Sequence, residues 1–153
     1  MEKEKKSILI VDDDEDVLES LKGILRSNGY SVDTAKTGRE AIERSEARFF
    51  NLALLDIKLP DMEGTELLTR MHGETPRMMK VMVTGHPSLE NAVEAVNLGA
   101  DAYIIKPVDP DELLEVVEDK LREQAEAERM SQEKVVKWIE TRIRKLERVG
   151  PSK

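Results

Sequence analysis

Four short apolar segments of this chain end in side chains that suit a phosphate group or a metal ion. The segments cover residues 8–11, 49–55, 79–83 and 102–105, and the polar residues that follow them are Asp12, Asp13, Asp14, Asp56, Thr84 and Lys106. Two carboxylates about 5 Å apart repel each other by about 3 kcal/mol at an effective dielectric constant of ~20. A divalent cation removes this penalty, and ligands that are all oxygen atoms favour Mg²⁺ or Mn²⁺.

These residue types together predict a site for a phosphoryl group. Lys106 supplies a fixed positive charge, and the hydroxyl of Thr84 can both donate and accept a hydrogen bond. A metal ion and a lysine neutralise the equatorial oxygens of a phosphoryl group while a carboxylate oxygen attacks the phosphorus. Asp56 is the candidate for that attack because we expect it at the end of the central strand.

The spacing of apolar residues predicts five strands that alternate with five helices. The predicted strands are residues 7–12, 31–35, 49–56, 79–84 and 102–105. This alternation is typical of an α/β domain with a parallel sheet, right-handed crossovers and helices on both faces. The second strand ends in Ala35-Lys36, without a residue that suits such a site, and therefore fits the edge of a flavodoxin-like, doubly wound sheet of order 2-1-3-4-5. The other four strands then bring their carboxyl ends to the edge where ligands bind in such sheets.

Local signals predict where the helices begin and end. The predicted N-caps are Asp14, Thr37, Ser88 and Asp109. Gly29 and Gly99 are predicted to end the first and fourth helices, and the third helix is expected near residues 65–72. The apolar face of the fourth helix consists of Leu89, Ala92, Val93 and Val96.

The charge and composition narrow the classes of ligand and compartment. The chain has 153 residues and a net charge of −8, and residues 1–119 carry 14 basic against 26 acidic side chains. This acidic body argues against direct binding of nucleic acid. No apolar run approaches the ~18 residues of a membrane helix, no apolar signal core precedes the first strand, and there is no cysteine. We therefore expect a cytoplasmic protein without a membrane segment, a disulfide framework or a thiolate metal site.

Over residues 7–122 the sequence resembles the receiver domain of two-component response regulators. The resemblance rests on Val11-Asp12-Asp13-Asp14, on Leu55-Asp56 followed by Leu59-Pro60 and Gly64, on Val83-Thr84-Gly85, and on Tyr103 three residues before Lys106-Pro107. It implies a phosphorylation-activated switch in which Asp56 accepts a phosphoryl group from a partner histidine kinase. It also implies that the domain is not an enzyme with a separate substrate, because it catalyses only its own phosphotransfer and dephosphorylation.

The resemblance further implies a role for each site residue. The Mg²⁺ ligands would be Asp12, Asp13, Asp56 and the backbone carbonyl of Lys58. Thr84 and Lys106 would bind the phosphoryl oxygens. Tyr103 would be the switch aromatic, and the surface of the fourth helix, fifth strand and fifth helix would be remodelled with it. The peptide bond between Lys106 and Pro107 would be cis, which X-Pro bonds permit at small cost.

Two other classes share part of this pattern. Haloacid-dehalogenase phosphatases also use an aspartate nucleophile, a hydroxyl, a lysine and Mg²⁺, and the segment 12–14 contains their D-x-D spacing. They need Thr or Val where this chain has Asp16, and their second acidic pair is not evident here. An interaction module with an inactive site is the other alternative, although no site residue is missing. His72 and His86 lie in different predicted loops without ligand partners, so we expect exposed bystanders. The open alternative for His86, two residues past Thr84, is that it tunes the access of water to the phosphoryl group.

Residues 123–153 are predicted to form a helical extension that serves as a linker, a dimerisation helix or a helix for an output partner. An apolar stripe at i, i+4, i+8 and i+11 of a helix over residues 131–149 consists of Val135, Ile139, Ile143 and Leu146. A lone helix of this length is marginal in water, so the stripe needs a partner surface, most simply a second copy. The more polar segment 122–134 predicts a helical spacer. A frayed tail, or part of a linker to a further domain, is the open alternative.

Overall fold

Strands and helices alternate along the chain as the sequence pattern predicts. The computed structural model describes residues 5–71 and 77–149. The strands are β1 (Ser7–Val11), β2 (Ser31–Ala35), β3 (Leu52–Leu55), β4 (Met79–Thr84) and β5 (Ala102–Ile105). The helices are α1 (Glu15–Ser27), α2 (Gly38–Ala47), α3 (Gly64–Arg70), α4 (Leu89–Asn97) and α5 (Pro110–Val149).

The five strands form one parallel sheet in the order β2-β1-β3-β4-β5, which confirms the predicted flavodoxin-like topology. The central strand, β3, is shorter than the predicted 49–56. Backbone pairing nevertheless continues past both of its ends, because the N–H of Asn51 donates to Ser7 and the N–H of Asp56 donates to Val11. Asp56 is therefore held at the carboxyl end of the central strand by a hydrogen bond to β1.

Helices cover both faces of the sheet, and each face buries its own set of apolar side chains. Against the first face lie α1 and α5, which contribute Leu18, Leu21, Leu25, Leu113 and Val117. Against the second face lie α2, α3 and α4, which contribute Ala41, Leu67, Leu68 and Ala95. Because successive strand residues point to opposite faces, a sheet covered on both sides needs the nearly continuous apolar runs found in β1, β3 and β4.

The predicted caps hold three helix ends. The side chains of Asp14, Thr37 and Ser88 accept hydrogen bonds from the backbone N–H groups at the starts of α1, α2 and α4. Gly29 and Gly99, which follow α1 and α4, have φ angles of 91° and 107°, in the left-handed region that favours glycine. Helix α3 ends at Arg70, before the predicted limit at residue 72, and His72 lies outside the described residues.

Helix α4 turns most of its predicted apolar face to solvent. Leu89, Val93 and Val96 are 82%, 50% and 62% exposed, whereas the small Ala95 is fully buried. The helix therefore docks on the sheet through a small side chain, and its larger apolar residues lie at the surface. We call Leu89, Val93 and Val96 the α4 patch.

Helix α5 is one unbroken helix of 40 residues, about 60 Å long at 1.5 Å per residue. Its first half packs on the sheet, and every described side chain from residue 129 to residue 148 is exposed. The spacer and the stripe predicted from the sequence are thus parts of the same helix. Among the helices of the described residues, none combines the length and the apolar character needed to cross a bilayer.

Candidate functional site

Three carboxylates converge at the carboxyl edge of the sheet, where β1 and β3 end side by side. Asp12 and Asp13 directly follow β1, and Asp56 directly follows β3. One carboxylate oxygen from each residue lies within 4.8 Å of the others. Asp12 and Asp56 are buried, whereas Asp13 is exposed. This arrangement is a set of oxygen donors with one face open to solvent, which suits Mg²⁺ with retained water ligands.

Lys106 brings a positive charge into the acidic cluster. Its Nζ lies 2.6 Å from Oδ2 of Asp12 and 3.5 Å from Oδ2 of Asp56. Its backbone N–H donates to the carbonyl of Thr84, which ties the end of β5 to the end of β4. Burial alone would lower the pKa of Lys106, but the hydrogen bond to Asp12 and the two carboxylate charges outweigh it and raise the pKa. Lys106 is therefore a permanent ammonium group at neutral pH, and its bond to Pro107 is cis.

The pKa of Asp56 is raised above its ordinary value. Burial is the largest cause, and the negative charge of Asp12 is the second. The charge of Lys106 and a hydrogen bond from the backbone of Lys58 act in the opposite direction without cancelling the rise. An ionised Asp56 thus lies in an environment that penalises its charge, and a bound cation would relieve that penalty.

The site opens to solvent through a cavity of about 260 Å³, lined by Asp12, Asp13, Asp14, Asp56, Lys58, Gly85, His86 and Lys106. Five of the predicted site residues therefore share one cavity. His86, expected to be a bystander, is exposed as expected but lies at this cavity, and its backbone N–H donates to Oγ1 of Thr84 at 2.9 Å. Its position two residues after the end of β4 is the sequence signal that places it there.

The two predicted switch residues lie outside the cavity wall. Thr84 is fully buried at the end of β4, next to Gly85, which does line the cavity. Tyr103 on β5 is half-buried, and its hydroxyl is buried without a hydrogen-bond partner among the described residues. A buried hydroxyl without a partner costs about 1–3 kcal/mol.

The loop between β3 and α3 is held close to Asp56 by a glycine and an acidic residue. The N–H of Gly64 donates to the carbonyl of Ile57, and a Cβ at Gly64 would lie 2.1 Å from the carbonyl oxygen of Asp56. The carboxylate of Asp61 accepts hydrogen bonds from the N–H groups of Gly38 and Arg39 at the start of α2, which lower its pKa. Asp61 is a positioning contact that the sequence does not reveal, because its partners lie more than 20 residues away.

A second polar cluster lies at the opposite, amino edge of the sheet. Gln124 of α5 is buried, and its Nε2 donates to the backbone carbonyls of Asn51 at 2.8 Å and Arg77 at 2.7 Å. Its Oε1 accepts from Nδ2 of Asn51 at 3.1 Å, and Oδ1 of Asn51 accepts from the N–H of Ser7. We call Asn51, Gln124 and their backbone partners the amide cluster. It anchors α5 to β1 and to the segments that precede β3 and β4.

The fold agrees with the comparisons to known proteins. The family model described as the response regulator receiver domain matches residues 8–118. The chain therefore belongs to the response regulator receiver family, and it is a receiver of the phosphorylation-controlled kind used in two-component signal transduction. This membership confirms the predicted class of protein and excludes the phosphatase alternative.

Similar proteins come from Escherichia coli, Pseudomonas aeruginosa and Methanospirillum hungatei. The transcriptional regulatory protein ZraR of Escherichia coli O157:H7 is 39% identical over 114 residues, which are 74% of this chain and 26% of ZraR. The alginate biosynthesis regulator AlgB of Pseudomonas aeruginosa is 33% identical, over 78% of this chain and 30% of AlgB. A crystal structure of a CheY-like receiver domain protein from Methanospirillum hungatei is 55% identical with a TM-score of 0.77, and the match covers 81% of this chain and 99% of that one. The chain thus spans about a quarter to a third of these two curated relatives but nearly all of the solved receiver.

Proposed function

We propose that Asp56 accepts a phosphoryl group from a histidine of a partner sensor kinase and that this event switches the surface of the domain. The observation that carries the proposal is the placement of Asp56. Its carboxylate ends the central strand, lies beside Asp12 and Asp13, and is within 3.5 Å of the Lys106 ammonium group. These groups surround one carboxylate with the charges that phosphoryl transfer requires.

In the proposed step, an oxygen of Asp56 attacks the phosphorus while the bond from phosphorus to the kinase imidazole breaks. Mg²⁺, held by Asp12, Asp13, Asp56 and the carbonyl of Lys58, would neutralise charge in the acidic cluster and on the phosphoryl oxygens. The fit of such an ion follows from the donor set, which is all oxygen and has its carboxylate atoms within 4.8 Å of each other. The single positive charge of Lys106 only partly compensates the negative charges of Asp12 and Asp56.

Lys106 and Thr84 are proposed to receive the phosphoryl oxygens. Lys106 now bonds to Asp12 and approaches Asp56, so a phosphoryl group on Asp56 would lie within reach of its ammonium group. Oγ1 of Thr84 already accepts a hydrogen bond from His86, which leaves its O–H free to donate to a phosphoryl oxygen. The open cavity admits water, so the domain would catalyse its own dephosphorylation as well as its own phosphotransfer.

The output of this chemistry is proposed to be a change in the surface formed by α4, β5 and α5. When the Thr84 side chain moves toward a phosphoryl group, Tyr103 on the neighbouring strand would repack. Tyr103 has a buried hydroxyl to satisfy, and the adjacent α4 patch offers exposed apolar area that a partner could cover. A ligand shifts such an equilibrium only by its different affinity for the two states.

The division into a receiver at 7–122 and an extension at 123–153 stays our prediction. The burial of Gln124 favours placing the end of the receiver after that residue. The extension is proposed to bind a second copy or an output partner. Direct binding of nucleic acid is not part of the proposal. The relatives ZraR and AlgB are described as transcriptional regulators, but this chain matches only 26% and 30% of their lengths, so that description does not carry over to it. The cytoplasmic location also stays a prediction.

Intact-mass measurement tests the phosphoacceptor. The wild type, incubated with Mg²⁺ and a small phosphodonor such as acetyl phosphate, should gain the mass of one phosphoryl group. Asp56→Asn should gain none, whereas Asp119→Asn, which removes an exposed carboxylate on α5, should behave like the wild type. An adduct of full yield in Asp56→Asn would refute the assignment.

Thermal unfolding tests the proposed metal site. Mg²⁺ that binds only the folded state should raise the melting temperature of the wild type by mass action. Asp13→Asn should lose most of this increase, because it removes a ligand without removing a buried charge. An equal increase in both proteins would exclude Asp13 as a ligand.

Beryllofluoride, a phosphoryl mimic, tests the switch. NMR spectra with and without the mimic should differ at Tyr103 and along α4, β5 and the start of α5. Asp56→Asn should show no difference. Unchanged signals for Tyr103 and α4 in the wild type, under conditions where the mimic is bound, would contradict the switch.

A further inference from the structure

The distal part of α5 presents an apolar surface that nothing in the described part of the chain covers. Ile139, Ile143 and Leu146 are 44%, 49% and 72% exposed, and Val136 is 53% exposed. The helix here is well beyond Gln124, the last buried residue among the described side chains of α5. This surface therefore needs a partner that is not the chain's own receiver domain.

The spacing of these residues fits a coiled coil. The steps of three, four and three residues place Val136 and Ile143 at one core position, a, and Ile139 and Leu146 at the other, d. Val135, the first residue of the stripe predicted from the sequence, then occupies the flanking position g, and Val136 takes its place in the core. Residues branched at Cβ in position a favour two-stranded coiled coils when leucine occupies d, and here they are combined with one leucine and one isoleucine. All four core positions of these two heptads are apolar.

The flanking charges select the direction of the second strand. In this register Glu140 and Glu147 occupy the e positions and Arg142 occupies a g position. A parallel pair places g against e of the second strand, so Arg142 would meet Glu147 of the other copy twice, once on each side. An antiparallel pair would place e against e and bring the glutamates together, which costs free energy.

We infer that the distal part of α5 forms a parallel two-stranded coiled coil with the same segment of a second copy of this chain. The occupant is a second copy because Arg142 and Glu147 would each face the opposite charge on an identical helix. Two heptads bury less area than a standard stable interface, so the association is weak and we expect a dissociation constant on the order of micromolar or weaker. The inference does not depend on the phosphorylation chemistry, which Asp56→Asn tests separately.

Light scattering and sedimentation of the full chain over a wide concentration range test the dimer. The double variant Ile139→Glu/Ile143→Glu should raise the dissociation constant by about tenfold or more, since it buries charge in the core. Thr141→Glu, on the opposite side of the same helix, is the matched control and should leave the dissociation constant nearly unchanged. A monomer at all concentrations, or a dimer that survives the double variant, would overturn the inference.

Exchange of the charges at positions 142 and 147 tests the proposed contact between the two copies beside the apolar core. Arg142→Glu and Glu147→Arg should each weaken the dimer several-fold, and the double exchange should restore it. Full additivity of the two single losses in the double variant would contradict the proposed contact.

Disulfide crosslinking tests the parallel direction, because the chain has no cysteine. Gln132→Cys introduces a thiol at the d position one heptad before Ile139, where the two copies of a parallel pair lie within bonding distance. In an antiparallel pair with the same core the two thiols would be more than about 20 Å apart. Thr141→Cys, pointing away from the core, is the control. Crosslinking of Gln132→Cys no faster than the control would exclude the parallel arrangement.

Discussion

Both edges of the sheet bury polar side chains, but the two edges differ in how completely these side chains are paired. At the amino edge the amide cluster pairs every polar atom of the Gln124 side chain with a neutral partner. At the carboxyl edge Asp12 and Asp56 share one ammonium group, and the pKa of Asp56 is raised. The amino edge is thus built for stability, whereas the carboxyl edge keeps an unfavourable charge that a ligand can relieve. In this sheet, electrostatic imbalance marks the functional site, and complete pairing of polar atoms marks the anchor.

The largest effect should come from a methyl group placed against the carboxyl edge. Gly64→Ala would bring its Cβ to 2.1 Å from the carbonyl oxygen of Asp56 and 2.9 Å from Cα of Ile57, both backbone atoms that cannot move without displacing the loop. We expect a loss of about 3 kcal/mol or more in the free energy of unfolding, together with weaker phosphorylation. Urea denaturation and the intact-mass assay measure the two losses.

The control for this variant is Gly23→Ala, the same substitution in the interior of α1. A Cβ at Gly23 meets nothing within 4 Å, so alanine should stabilise the protein by about 0.5–1 kcal/mol through its higher helix propensity. Similar losses in both variants would show that glycine at position 64 is not required by the contact with Asp56.

The next effect should come from removing the anchor at the amino edge. Gln124→Ala leaves the carbonyls of Asn51 and Arg77 and the Asn51 amide without their partner. We expect a loss of about 2–3 kcal/mol in the free energy of unfolding, with phosphorylation of Asp56 largely retained. Gln132→Ala, the same change at an exposed position of α5, should cost less than about 0.5 kcal/mol. A loss of phosphorylation at unchanged stability in Gln124→Ala would mean that the two edges are not separate in function.

The smallest effect should have the opposite sign. Asp56→Asn removes a carboxylate whose pKa is raised by burial and by Asp12, so the folded protein should become more stable at neutral pH, by on the order of 1 kcal/mol. Because the pKa is higher in the folded state, the charge of Asp56 costs stability only above the ordinary pKa of 3.8, and the full cost is reached above the folded pKa. The gain of the variant should therefore vanish in acid and grow as the pH rises. Denaturation of both proteins between pH 4 and pH 7, without Mg²⁺, measures it, and a gain that shrinks with rising pH would contradict this sign.

Much of the carboxyl edge could be predicted from the sequence, because strand ends are signalled by local pattern. Asp12, Asp56, Thr84 and Lys106 each follow an apolar run, and the topology then requires their runs to end at one edge. The fold was predictable for the same reason, since each strand and helix carries its own periodicity and caps. The limits of β3 were less predictable than the fold, because an apolar run does not show where backbone pairing stops.

The amide cluster and the surface of α4 are set by contacts that local pattern does not show. Gln124 lies in a segment rich in charged residues, which predicts an exposed side chain. It nevertheless continues the helical spacing of Leu113, Val117 and Leu121. That spacing is the signal that could have found it. In α4 the pattern groups Leu89, Val93 and Val96 on one face, but it cannot tell that this face is exposed and that Ala95 meets the sheet. Packing depends on the distance between helix and sheet, which is not encoded in periodicity.

The unbroken course of α5 makes the helix a lever. Gln124 fixes it to the receiver, and Leu146 lies 22 residues further along, about 33 Å away at 1.5 Å per residue. A tilt of about 10° at the anchor would carry the distal end about 6 Å sideways, a large fraction of the 8–10 Å that separates packed helices. A rearrangement of α5 too small to disturb the core could therefore part or join two such levers, so the rigidity of the helix sets the gain with which a change in the receiver is transmitted.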